Sequence, residues 1–304
     1  MRYTVDQLLD QMKLNASIPT SQQKFSDARC LQFLNEELNI TIQPSLLKLR
    51  AEFYVTHIDI PLVANTSIYE LPNGVVGWSL YDWGYVDGNG EYRSLSQTGT
   101  AYLERFSEIT TSDSPKFLYF EGTKINSRPL IGANAIGSIR LFYERTQSEL
   151  VKVSDCGLVK SVVDLGTEYQ INLDQLPIYA DGVDVISGKS PYGIIAEDFD
   201  AIAVAGTSIT LTKTGFDRAP VKGDYVAPTT KTCIPHIPDI AFPALAQAST
   251  IRLLEASGDT KGIQIAGTTL GRMMTAVEAR CRDRVKARPK KILSKNFLLN
   301  TFRR

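Results

Sequence analysis

Between residues 28 and 53 the apolar side chains Ala28, Leu31, Leu34, Leu38, Ile42, Leu46, Leu49 and Phe53 recur at steps of three or four, which places them on one face of a helix. This stripe is the strongest periodic signal in the chain. Ser26-Asp27 supplies its N-cap. Pro44 lies inside the stripe and cannot donate a backbone hydrogen bond, so a kink or restart is expected near residues 39–41. A helix with one apolar face must bury it, so a partner surface is required elsewhere in the chain.

That partner is expected from the other end. A short first helix opens at Thr4, with Gln7 completing a capping box. Residues 243–257 read as a helix with Leu245, Ala248, Ile251, Leu254 and Ala256 inward, and Gly258 stops it. A further helix restarts at once, with Thr260 as its expected cap and the stripe Ile263, Ala266, Leu270, Met273 or Met274, Val277 and Cys281, and Pro289 ends it. The expected packing core of these helices is Leu31, Leu34, Leu38, Leu46, Leu49 and Phe53 from the first half, with Leu245, Ile251, Leu254, Leu270, Met273 and Val277 from the second.

From Val55 the texture changes to short β-branched and aromatic runs broken by Gly, Pro, Asn and Asp. Strands are expected around residues 67–71, 78–83, 116–121, 124–126 and 138–144, with a hairpin turn at Val86-Asp-Gly-Asn-Gly-Glu91 and a short helix around 101–106. A second group follows at 158–164, 169–173, 208–213 and 224–227, while 191–205 reads equally as helix or strand. The expected fold class is α+β: N- and C-terminal helices packed together as a bundle, with a large, mainly antiparallel β region inserted between them. The corresponding division is 1–54 with 239–288 as the helical domain, 55–238 as the β domain, itself one module or two (55–151 and 152–238), and 289–304 as a basic tail.

Function classes narrow by elimination. With 304 residues and 43% hydrophobic composition, a globular protein is expected. No apolar run approaches the roughly 18 residues of a membrane helix, and Arg2, Asp6 and Asp10 interrupt any leader at the start, so no membrane association is expected. Cys30, Cys156, Cys233 and Cys281 stand at wide intervals without a CxxC pair and read as reduced, small apolar residues. The triplets at Asn15, Asn39 and Asn65 matter only in a secreted protein.

Two histidines, His57 and His236, leave little for a histidine-based metal or catalytic centre. No Gly-x-Ser-x-Gly elbow holds a nucleophilic serine. Ser187-Gly-Lys-Ser190 matches the end of a phosphate loop, but Val183 stands where its first glycine belongs and Pro191 interrupts the helix, so a surface turn is the better reading. Asp87, Asn89 and Glu91 alternate with glycines without the rest of a calcium loop. Glu104 and Glu108, one helical turn apart, carry little information about a glycosidase. No catalytic residue, metal or cofactor is expected.

Charge is unevenly placed. The chain holds 33 basic and 33 acidic residues, yet residues 271–304 carry eleven Lys or Arg against only Glu278 and Asp283, leaving that segment nine positive and the remainder nine negative. Its Arg284, Lys286, Arg288, Lys290 and Lys291 are interleaved or followed by Ile292, Leu293, Phe297, Leu298 and Phe302, apolar groups that a freely solvated tail lacks, so a protein partner is favoured over nucleic acid.

Several strings resemble one kind of virion protein: Ser26-Asp-Ala-Arg29 leading into Phe33-Leu-Asn-Glu-Glu37, residues 47–54 with Arg50 and Glu52, Ile68-Tyr-Glu-Leu-Pro72, Tyr143-Glu-Arg145, Leu150-Val151, Gly223-Asp-Tyr-Val226, residues 248–259 and residues 284–292. Together they look like the head-to-tail connector, or portal adaptor, proteins of the tailed-bacteriophage neck. The resemblance implies a non-enzymatic structural protein of the virion neck, assembled in the host cytoplasm as a ring of usually twelve copies. The ring would lie below the portal protein and above downstream tail or neck proteins, with DNA passing through its channel. An acidic channel wall would repel the phosphates and let the duplex slide, and the tail residues just named would dock on the portal. Alternatives are a stopper, tail-tube or baseplate component, or a tail-associated cell-wall hydrolase or glycan-binding protein using Trp78 and Trp83.

Overall fold

The capping box forms as its residues dictate: the Thr4 hydroxyl accepts the Gln7 N–H at 3.4 Å and the Gln7 side chain accepts the Thr4 N–H at 3.1 Å, opening helix α1 (Val5–Asn15). The computed structural model describes residues 3–18, 25–49, 54–71, 75–97, 111–122, 124–177, 182–189 and 193–281. Ser26 caps α2 (Asp27–Glu37), and a π-helical turn, Leu38–Ile42, joins it to α3 (Gln43–Leu49). The deepest side chains here, Cys30, Leu34, Leu38, Ile42 and Leu46, are spaced by four. In a straight α-helix that spacing drifts by about 40° per step. The wider π turn resets the drift and also absorbs Pro44. Ala28 is exposed, and Cys30 takes its place in the first turn.

The first β region contains β1 (Val55–Pro61), β2 (Ile68–Glu70), β3 (Val75–Asp87), β4 (Tyr92–Ser94), β5 (Ser96–Gln97), β6 (Thr111–Ser112), β7 (Phe117–Glu121), β8 (Lys124–Arg128), β9 (Leu130–Ile131), β10 (Gly137–Arg145) and β11 (Glu149–Leu150). One sheet runs β1-β10-β3-β4, a second runs β2-β8-β7-β5, and β6 pairs with β9. Strict alternation along β10 buries Ile139, Leu141 and Tyr143, and the first two meet Tyr69, Leu118 and Ile125 of the other sheet in a shared apolar cluster.

The second β region holds β12 (Gly157–Asp164), β13 (Glu168–Leu173), β14 (Val183–Ile186), β15 (Ile194–Phe199), β16 (Ala203–Ala205), β17 (Ser208–Thr212), β18 (Tyr225–Pro228) and β19 (Lys231–Thr232). Seven strands form one antiparallel sheet in the order β15-β14-β18-β12-β13-β17-β16, while β19 pairs with β11. An irregularity between Val159 and Ser161 lets β12 give its first residues to β18 and its last to β13. The sheet thereby folds over a core in which Val183, Val185, Ile195 and Val226 meet Ile171, Leu173, Ile209 and Leu211. Within the ambiguous stretch 191–205, residues 194–199 and 203–205 are strand, as β15 and β16.

A 3-10 turn leads into α4 (Phe242–Ser257), which ends with Gly258 at φ 82°, a left-handed C-cap, before α5 (Thr260–Cys281). The third cluster joins α1, α2, α3, α4 and α5 with residues of the second β region, including Ile186 and Ala227. The fold is thus mixed α+β with extensive antiparallel sheet. Strand β14 is buried on both faces, Val183 and Val185 toward the sheet core and Ile186 toward the helices. Its four residues, Val-Asp-Val-Ile, are too short a run to mark a strand in sequence, and the sequence reading omits it.

Candidate functional site

The helices from both ends of the chain meet in one apolar core, and this junction is where most of the expected packing residues come to rest. Leu34, Leu38, Leu46, Leu245 and Val277 are buried in it, and Leu31, Leu49, Leu270 and Met273 pack half-buried against it. Two expected members differ. Ile251 is half-buried outside the cluster and Leu254, though buried, also lies outside it; Leu253 occupies the inward position. Ala256, also expected inward, is exposed. The cause is that α4 is enclosed nearly all round from Phe242 to Thr250, so its apolar pattern does not reveal its angular setting. Phe53 and the tail residues Arg284, Lys286, Arg288, Lys290, Lys291, Ile292, Leu293, Phe297, Leu298 and Phe302 lie outside the described residues, as does the short helix expected at 101–106.

Polar groups fasten this junction. The buried Gln247 side chain accepts from Asn15 of α1 at 3.1 Å and donates to the Ala266 carbonyl of α5 at 3.3 Å, linking three helices. Thr250 bonds the Ala246 carbonyl at 2.7 Å and approaches that of Met12 at 3.4 Å. Glu37 of α2, 8% exposed at its side chain, accepts from Arg252 of α4 and from Thr41, both at 2.6 Å. Sequence patterning missed all of these, because Gln247, Ser249 and Thr250 read as surface residues until the helix is seen enclosed.

A second set of bonds ties the helices to the β regions. Asp27 accepts from both Lys13 and Lys152, and these two cations hold its carboxyl down to about 2. Asn35 matches the backbone of Leu150 as another strand would, donating to its carbonyl at 3.1 Å and accepting its N–H at 2.7 Å. Arg145, the last residue of β10, pairs with Glu197 of β15 at 2.8 Å, bridging the two β regions. Beside that pair Asp184 is fully buried, with Oδ1 accepting the Asp198 N–H at 2.8 Å and Oδ2 that of Thr230 at 3.1 Å. Burial pushes its carboxyl up to about 6.

The remaining chemical candidates resolve structurally. Ser187-Gly188-Lys189 is a turn, but Ser187 is buried, and a Cβ on Gly188 would stand 1.8 Å from the Gly223 carbonyl oxygen. The Gly188 N–H, which a phosphate loop would offer to its ligand, is bound to the buried Asp224 carboxylate at 3.0 Å. Arg218 and the Val221 N–H complete that carboxylate's partners. At the 86–91 hairpin, Asp87 Oδ1 accepts the N–H groups of Asn89 and Glu91 at 2.9 Å each, so it shapes the turn. Trp83 packs edge-on to Phe120 at 5.6 Å within the cluster between the sheets; the side chain of Trp78 and residues 104 and 108 lie outside the described set. His57 lies against Phe142 on the opposite face of the first sheet. Among the described residues no group of three His, Cys, Asp or Glu side chains is placed to hold a metal ion. Among them, too, no helix is long and apolar enough to cross a membrane.

The chain matches no protein-family model and no curated protein sequence.

Proposed function

We propose that this chain is a structural subunit of a tailed-phage neck, a head-to-tail adaptor that forms a ring below the portal through which DNA passes. The observation that carries this reading is the apolar core shared by helices from both ends of the chain, with long β segments between them. In this reading residues 1–54 and 239–288 form a helical adaptor domain. Residues 55–238 are an inserted β domain of two modules, 55–151 and 152–238, each with its own apolar cluster. The 289–304 tail, with the basic and apolar residues leading into it, docks on the portal, and repetition around the ring multiplies a weak contact. The partners are then further copies of the chain, the portal, downstream neck or tail proteins, and the passing duplex, with no cofactor and no enzymatic step.

The test is quantitative mass spectrometry of purified virions, counting the chain against the portal and the major capsid protein. Equality with the portal supports the adaptor ring. A much higher copy number points to a tail-tube station, and absence from virions removes the structural reading. Deleting residues 286–304 is expected to abolish portal docking while leaving the unfolding transition of the body unchanged.

A further inference from the structure

Cys156 and Cys233, 77 positions apart in sequence, are both buried, at 1% and 0% exposure, in the same apolar cluster, with their side chains close enough to interact. They stand at the base of the second β region, where the chain enters and leaves it: Cys156 directly precedes β12 and Cys233 directly follows β19. The surrounding backbone is fixed. Leu150 pairs with Thr232, the Val151 N–H bonds the Thr232 carbonyl at 2.9 Å, and the Val5 N–H bonds the Cys233 carbonyl at 2.9 Å. Both sulfurs belong to the helical core, with Tyr225 close by.

We propose that Cys156 and Cys233 are a redox pair that closes to a disulfide across the base of the second β region when that base is open to a small oxidising disulfide, and that the folded core then shields the bond. In the first step one protein thiolate attacks a sulfur of oxidised glutathione, forming a mixed disulfide and releasing one glutathione thiolate. The second protein thiolate then attacks the protein-bound sulfur of that mixed disulfide and releases the second. Two protein thiols are oxidised, one glutathione disulfide is reduced to two thiols, and these take up both protons. The bond so formed joins the strand that enters the module to the one that leaves it, and both to the helix start at Val5.

In the native state both thiols are free and buried, out of reach of a dissolved disulfide. The neighbouring Cys156 thiol and burial push Cys233 well above the ordinary thiol range, and the thiolate is the attacking species. Closure therefore belongs to folding or to local opening of the base.

The experiment refolds the full chain from denaturant in a glutathione redox buffer and, in parallel, holds the native chain in the same buffer. Non-reducing peptide mapping and urea unfolding read the result. Refolded protein is expected to contain a single Cys156–Cys233 linked peptide, with Cys30 and Cys281 free. Native protein should form it about tenfold more slowly or less. The linked protein should unfold at a higher urea midpoint, restored to the original by reductant, and Cys233→Ser should remove the linked peptide. Indiscriminate pairing among the four cysteines, glutathione adducts without the link, or a lower midpoint for the linked protein would each overturn the proposal, and all three are read on the unsubstituted chain.

Discussion

Asp184 lies on β14 with 0% exposure, and its two carboxylate oxygens accept N–H groups from Asp198 and Thr230, residues whose φ angles of 55° and 66° are left-handed. Burial disfavours the charge more than these two donors favour it, and the carboxyl is raised from 3.8 to about 6. A rise of about 2 corresponds to roughly 3 kcal/mol between the fully protonated and fully ionised limits. Because the native value exceeds the unfolded one, the contribution is fully present below about pH 4 and is lost as pH rises through about 6. Between pH 7 and pH 4.5 linkage gives the wild type a gain of about 2 kcal/mol from this group. Other carboxylates titrate too, so the comparison is with Asp184→Asn, which keeps the shape and cannot ionise. Urea unfolding of both proteins at the two pH values isolates the effect. The wild type should gain about 2 kcal/mol on the variant as pH falls. A difference that stays constant within about 0.5 kcal/mol would mean that the two N–H bonds fully offset burial, and would refute the reasoning.

Asp27 acts with the opposite sign: its lowered carboxyl supports folding above about pH 4 and loses that support as pH falls toward 2, but partial exposure and solvent screening limit the effect to about 1 kcal/mol. Asp27→Asn should therefore lower stability by about 1 kcal/mol at pH 7 and converge with the wild type as pH falls toward 2, flattening the acid limb of the stability profile. Leu34→Ala, at a fully buried position in the shared helical core, should cost about 2–5 kcal/mol by urea unfolding, and a loss below about 1 kcal/mol would show that the helices from the two ends do not depend on one another there. Gly188→Ala should lower thermal stability markedly, since its Cβ meets the Gly223 carbonyl, whereas Gly271→Ala, with nothing within 4 Å on α5, should stabilise by about 0.5–1 kcal/mol. Glu37→Ala should weaken the α2–α4 contact by about 1–3 kcal/mol, and a double-mutant cycle with Arg252→Ala should return most of that as coupling.

Elements whose formation depends on local residue order are legible in the sequence itself. The Thr4–Gln7 box, the Ser26 cap, the Asn-Gly hairpin and the Gly258 stop each satisfy or redirect backbone groups within a few residues, so the sequence alone specifies them. The strand positions along β10, β13 and β17 follow from alternation, because buried apolar residues alternate with more exposed neighbours along each. The break expected near 39–41 is real, and its form as a π turn reflects the four-residue spacing of the buried stripe.

What only the tertiary structure decided lies where burial is two-sided or where polar groups find distant partners. Strand β14 is too short a run to mark itself, and helix α4 is enclosed on more than one face, which erases the periodicity that sequence reading relies on. Asp184, Asp224, Gln247 and Glu37 are polar residues that any pattern assigns to the surface, yet each is buried with donors from remote segments satisfying it. Cys156 and Cys233 stand far apart in sequence without a spacing motif, and they meet only because β11 pairs with β19 at the base of the second β region. Local hydrogen bonding and one-sided burial can be read from neighbouring residues; contacts across long loops depend on how the sheets fold over, and no local pattern contains that information.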